Sequence, residues 1–65
     1  MCLSKVYIEK EGKKELLIEE AAKVKIEENL VEILELLGDV KRLEGYKIKE
    51  IDFLNHFVIL GKIKK

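Results

Sequence analysis

Cys2 is the only cysteine of the chain and directly follows the first methionine. Methionine aminopeptidases accept small second residues, cysteine among them, so the mature chain is expected to begin with Cys2. A cysteine in that place offers a thiolate and a primary amine on adjacent carbons, which together close a chelate ring on a metal ion. The thiol ionises with a pKa of about 8.5 and the amine of about 7.7–8.0, so both give up a proton to a divalent ion near neutral pH. Thiolate and nitrogen in a planar arrangement suit Ni(II) or Cu(II) better than Mg or Ca. If Met1 stays, the amine belongs to Met1 and Cys2 contributes its thiolate alone. The competing account of Cys2 is a small buried hydrophobe, as free cysteine commonly is.

The other reactive side chains offer less. His56 is the only histidine and follows Asn55 at a turn, where an imidazole is more often solvated or hydrogen-bonded than a ligand. Tyr7, Tyr46, Phe53 and Phe57 read as core and interface, because base stacking in strand-binding barrels comes with a basic excess. Lys62, Lys64 and Lys65 form a solvated tail. Gly12, Gly38, Gly45 and Gly61 are isolated turn glycines and build no phosphate loop. No nucleophile–base pair falls within one motif, so the chain is not expected to be an enzyme.

The elements that must hold Cys2 in place are few. Sixty-five residues make one domain, 1–65, and a chain of this size buries only about 60% of its unfolded surface. With no disulfide partner and no CxxC zinc pattern, the remaining source of stability is a second copy. Charged residues make up 40% of the chain, yet 13 cations balance 13 anions. That neutrality argues against general nucleic-acid binding, which runs on excess positive charge. Lys5, Glu9 and Lys10 interrupt the first ten residues, so no signal peptide is expected. No run reaches membrane-spanning length, and a free thiol fits a reducing, cytoplasmic setting.

Alternation with a period of two places Cys2, Ser4, Val6 and Ile8 on one face of a first strand. Glu11-Gly12-Lys13 then turns the chain, and Glu15–Ile18 follows. Lys23–Glu27 alternates with Val24 and Ile26 inward, and Glu28-Asn29 makes a second turn, since Asn accepts a left-handed conformation. Gly38-Asp39 and Gly45 bracket Val40–Glu44. Tyr46–Asp52 alternates until Lys49-Glu50, where a bulge explains the slip. Leu54-Asn55 leads into His56–Leu60, an apolar run suited to a strand covered on both sides, and Gly61–Lys65 is expected to fray. Leu30–Leu37 is ambiguous: Leu30, Ile33, Leu34 and Leu37 fit a helix, whereas turn residues confine the run to strand length. As a strand it is apolar on both faces, with Leu30, Leu34 and Leu36 opposite Val31, Ile33 and Leu37. The whole reads as an all-β chain, a small antiparallel barrel of about six or seven short strands, closed to remove exposed edges. One face of Leu30–Leu37 is then left for a partner subunit, with Val31 and Ile33 as candidate contacts.

The opening MCLSKVYIEKEGKKELLIEE and the later LEGYKIKEIDFLNHFVIL resemble the CooT family, small accessory proteins associated with nickel delivery to carbon monoxide dehydrogenase. The MCxxKV start, the EGKKEL turn and the KEIDFLNH segment carry the likeness, in order and at matching spacing. The resemblance implies an SH3-like barrel, a homodimer, and Ni(II) bound at Cys2. It resolves Leu30–Leu37 as strand, which periodicity does not. It also carries a label of RNA binding, so a barrel that acts as an RNA-binding protein or adaptor, with Cys2 merely buried, stands as the alternative. The chain lacks a histidine-rich tail to store nickel, and no residue identifies a client enzyme.

Overall fold

The computed structural model describes residues 3–63. Cys2, Lys64 and Lys65 lie outside the described residues. Six strands run in the order β1 (Ser4–Lys10), β2 (Lys13–Glu27), β3 (Leu30–Glu35), β4 (Val40–Glu44), β5 (Tyr46–Asp52) and β6 (Phe57–Lys62). They form one sheet ordered β4-β3-β2-β1-β6-β5.

Turn chemistry sets the first hairpin. Glu11 and Gly12 have φ of 50° and 79°, the left-handed pair of a two-residue turn whose twist matches the strands it joins. The strand that follows is long and bent. β2 pairs with β1 through Ala21 and with β3 from Ala21 onward. Each register slip along it leaves the extra residue on β2: two against β1 and one against β3. Bulges of this kind kink a strand and increase its twist. Ala21 is the shared point, opposite Ser4 on one side and Glu35 on the other, and is buried. Two strands expected from the sequence, Glu15–Ile18 and Lys23–Glu27, are therefore one. Val24 faces the core as expected, whereas Ile26 is half-exposed, because the bend carries the end of β2 past the cover of the opposite strands.

The seam also differs from the expected closed antiparallel barrel. β4 and β5 are the two edges of the sheet and are not paired with each other. A single residue, Gly45, joins them, its φ of 77° in the region glycine adopts freely. The Gly45 amide donates to the Asn29 carbonyl (2.8 Å), and the Ile63 amide donates to the Gly45 carbonyl (2.7 Å). The sheet thus curls until its edges meet at one corner without zipping together. Lys41, Arg42, Lys47 and Lys49 line those edges, and charge there discourages pairing with another chain. One pairing is parallel, β1 with β6 from Lys5↔Phe57 to Glu9↔Gly61.

Inside the curl, Val6, Ile18, Ala21, Val31, Ile33, Val58 and Leu60 form the core. Leu30–Leu37 is a strand as far as Glu35 and then a turn. Val31 and Ile33 are fully buried at 0% exposure, so they are core residues and not a surface for a second subunit. Both lie on the middle strand of three, paired with Ile26 and Val24 on β2 and with Leu43 and Lys41 on β4. β6 is covered on both sides: Ile59 is buried beside the edge-to-face pair of Tyr7 and Phe57, 5.9 Å apart between ring centres.

Gly61 belongs to β6, is buried, and does not fray. The β5 bulge falls at Lys49 as expected and lays that side chain over Gly61, where its ammonium meets the Glu9 carboxylate. The Lys49 hydrogen bond holds Glu9 below the usual carboxylate range. A Cβ at position 61 would lie 2.6 Å from Lys49 Cδ, so Gly61→Ala is expected to push the flexible lysine off and return Glu9 to its ordinary titration. The sign is set by the lowered pKa: the pair contributes above the unfolded-state pKa and is lost as pH falls through the folded one. Carbon-detected titration of Glu9 in both proteins measures this, and an unchanged midpoint would refute the coupling.

Candidate metal centre

Leu3, to which Cys2 is bonded, lines a shallow cleft of about 530 Å3 with Lys5, Glu19, Glu20, Asn55 and His56. Three elements build it. β1 enters the sheet here between β2 and β6. The bulged stretch of β2 turns Glu19 and Glu20 outward, both exposed. The β5–β6 turn supplies Asn55 and His56, and its position is fixed by the Lys5 amide, which donates to the His56 carbonyl at 3.0 Å.

That turn is held by its own acid. The Asp52 carboxylate accepts from the Asn55 backbone amide (2.8 Å) and from its side-chain amide (3.1 Å). These bonds, the backbone one first, hold the Asp52 carboxyl below its ordinary value. His56 closes the turn with φ of 59°, an uncommon conformation for a residue bearing a side chain. Asp52→Ala is expected to free the Asn55 amide and loosen the segment before β6. In the unmodified protein the same loosening should appear on acidification, since a depressed carboxyl gives stability above its unfolded pKa and loses it as pH falls through the folded value. Hydrogen exchange at Asn55 reads both; equal protection in Asp52→Ala would overturn the assignment.

Cys2 lies outside the described residues. His56 is an exposed turn residue, as its sequence position suggested, and shares the cleft with the residue after Cys2. Among the described residues no group of three or more His, Cys, Asp or Glu side chains is placed to hold a metal ion. The sequence reading passed over Glu19 and Glu20, whose tandem carboxylates break the alternation of β2 at its bulge; that break was the available signal. Leu36 and Leu37, expected on strand faces, and Phe53, expected in core or interface, are instead exposed in turns, while Leu54 is in the turn expected of it.

Residues 1–61 match the model of a family described as CO dehydrogenase accessory protein CooT. The chain belongs to the CooT family. The matched span takes in Cys2 and all but the last residue of β6. Among solved structures, the chain is similar to a crystal structure of "putative CooT" from Carboxydothermus hydrogenoformans, with a TM-score of 0.83 and 24% identity over 97% of this chain and 100% of that one. At that identity the likeness speaks for the fold. No protein of curated function matches. CooT proteins are accessory to an enzyme, and this chain is not itself a catalyst. No helix among the described residues is long and apolar enough to cross a membrane.

Proposed function

We propose that this CooT-family chain carries Ni(II) as cargo for maturation of a nickel enzyme such as carbon monoxide dehydrogenase, holding the ion through Cys2 at the interface of a homodimer. What carries this reading is the family match from residue 1, which includes the lone cysteine one peptide unit ahead of Leu3. The donor chemistry fits. A thiolate and a nitrogen from each of two chains make a four-coordinate set that Ni(II) accepts, and the carboxylates of Glu19 and Glu20 in the neighbouring cleft favour a dication over an anion at this end. The chain's own part is to anchor the segment that follows Cys2, which β1 does by pairing with β2 on one side and β6 on the other. Nickel titration of the full chain, followed by thiolate-to-metal charge-transfer absorption, tests it: the unmodified protein should show the band and Cys2→Ala should not.

A further inference from the structure

Gly12, Gly38 and Gly45 take positive φ at turns, but Gly61 lies within β6 and outside the left-handed region. Backbone conformation therefore does not call for a glycine there. Inside a strand a glycine weakens the sheet, and it often marks a place where a ligand or another segment comes close. In the row across the sheet Gly61 stands between Glu9 on β1 and Lys47 on β5. It is buried, and the three atoms nearest to a Cβ placed on it all belong to the Lys49 side chain. The sheet at this point is bare backbone under one movable side chain.

A cleft of about 750 Å3 opens over that floor, and its charged lining is Lys10, Lys47, Lys49, Lys62, Glu9 and Glu11. Clefts of this size hold small molecules. Glu9 is engaged by Lys49, and Lys10, Lys47 and Lys62 make no ion pair among the described residues. Lys13 and Lys14 stand opposite Lys10 and Glu9 on β2, while Glu15 and Glu50 follow Lys14 and Lys49 in the chain. Ile63 also lines the cleft, and the sequence continues from it into Lys64 and Lys65. In a chain with no net charge this is a local cationic excess. It ends abruptly: the cleft on the other side of Ile63 is lined by Glu27, Glu28 and Glu44 and by no lysine or arginine.

We propose that this cleft binds a small, multiply charged anion of the phosphate class, a di- or triphosphate, between Lys10, Lys47 and Lys62, with Lys49 as a movable clamp. Lysine ammonium groups are point charges on flexible stems and follow phosphate oxygens readily. The Glu9 carboxylate holds the anion's place on Lys49, so binding exchanges one acceptor for another at that ammonium. A short anion fits better than a nucleic-acid strand, because the lysines do not continue as a track. Glu27, Glu28 and Glu44 lie past Ile63, and Glu50 and Asp52 lie further along β5. The 7 residues of β1, about 20 Å of extended chain, separate this cleft from Leu3, and the proposal rests on no role of Cys2.

The test titrates the metal-free full chain with inorganic tripolyphosphate at low ionic strength, where screening is weak, and reads amide nitrogen–proton correlation spectra. The amides of Glu9–Gly12, Lys47–Lys49 and Gly61–Lys62 should shift, and orthophosphate, with less charge, should bind more weakly. Lys47→Gln with Lys62→Gln, at exposed positions, should weaken binding about tenfold or more, as loss of two charge-assisted contacts does. Glu9→Gln should tighten it by releasing Lys49 from its internal acceptor. Glu28→Gln removes the same charge from the acidic cleft and should leave it unchanged, which separates a site from a general field. Cys2→Ala should bind the anion as the unmodified chain does. Adenosine triphosphate distinguishes the sources: tighter binding than tripolyphosphate supports a nucleotide as the ligand, and equal or weaker binding supports a bare phosphate chain. No shift at millimolar tripolyphosphate, shifts scattered beyond the cleft, an equal gain from Glu9→Gln and Glu28→Gln, or full affinity in the double glutamine variant would each overturn the proposal. So would an oligouridylate that binds more tightly than tripolyphosphate, since that assigns the lysines to nucleic acid.

Discussion

Ile33→Asp is expected to leave the chain unfolded at room temperature, seen as loss of dispersed amide signals and of a cooperative thermal transition. Ile33 has no exposed surface and packs in one cluster with Val6, Ile18, Val31 and Leu60. Filling that position with a carboxylate forfeits about 2 kcal/mol or more of apolar burial and adds a desolvation penalty of several kcal/mol for an unpaired ion. Domains are stable by only about 5–15 kcal/mol, and one this small sits towards the low end. The neighbour on the same strand provides the control. Leu34 points to the other face and is only partly buried, so Leu34→Asp should keep the fold with a lowered melting temperature. A folded Ile33→Asp protein with altered self-association would restore Ile33 to the surface and refute the core assignment.

The second large effect concerns the ion. Nickel affinity should fall steeply on acidification, by about tenfold per pH unit for each proton released below the thiol pKa. On the proposed shared four-coordinate set, with one thiolate and one nitrogen from each chain, one ion should be bound per two chains. Cys2→Ala and Cys2→Ser should both abolish binding, and His56→Ala, altering an exposed turn residue, should leave it intact. Affinity that stays flat from about pH 6 to pH 8.5 would exclude thiolate ligation near the ordinary thiol pKa. Retained binding without Cys2 would move the site elsewhere in the chain.

Local chemistry was legible in the sequence wherever a single residue type decides a backbone conformation. Gly12, Asn29 and Gly45 mark turns that the structure contains, and the paired polar residues Lys49-Glu50 mark a bulge that it contains. Alternation put Val6 and Ile8 on one face, and the structure buries both. The misses share a different cause. Glu19-Glu20 and Ala21-Ala22 looked like a gap between two strands because a bulged strand loses its period of two just where it bends. The faces of Leu30–Leu37 were written correctly, but which of them looks inward depends on where β2 and β4 lie, and no spacing within the segment encodes that. The parallel β1–β6 pair and the unzipped β4–β5 seam are contacts between residues far apart in the chain, and periodicity carries no signal for them. Around the candidate centre, Cys2 and His56 stood out as rare residue types, while Glu19 and Glu20 join Leu3 and His56 only once three separate segments are brought to one cleft.

The placement of β1 between β2 and β6 has a consequence for how the protein is made. β1 is the first strand to leave the ribosome, yet one of its two edges finds no neighbour until Phe57–Lys62 has been synthesised. Contacts that span so much of a chain must meet a large loop-closure cost before they return any stability, which slows folding and makes it cooperative. Until then the β1–β2 hairpin stands with one edge of β1 unpaired.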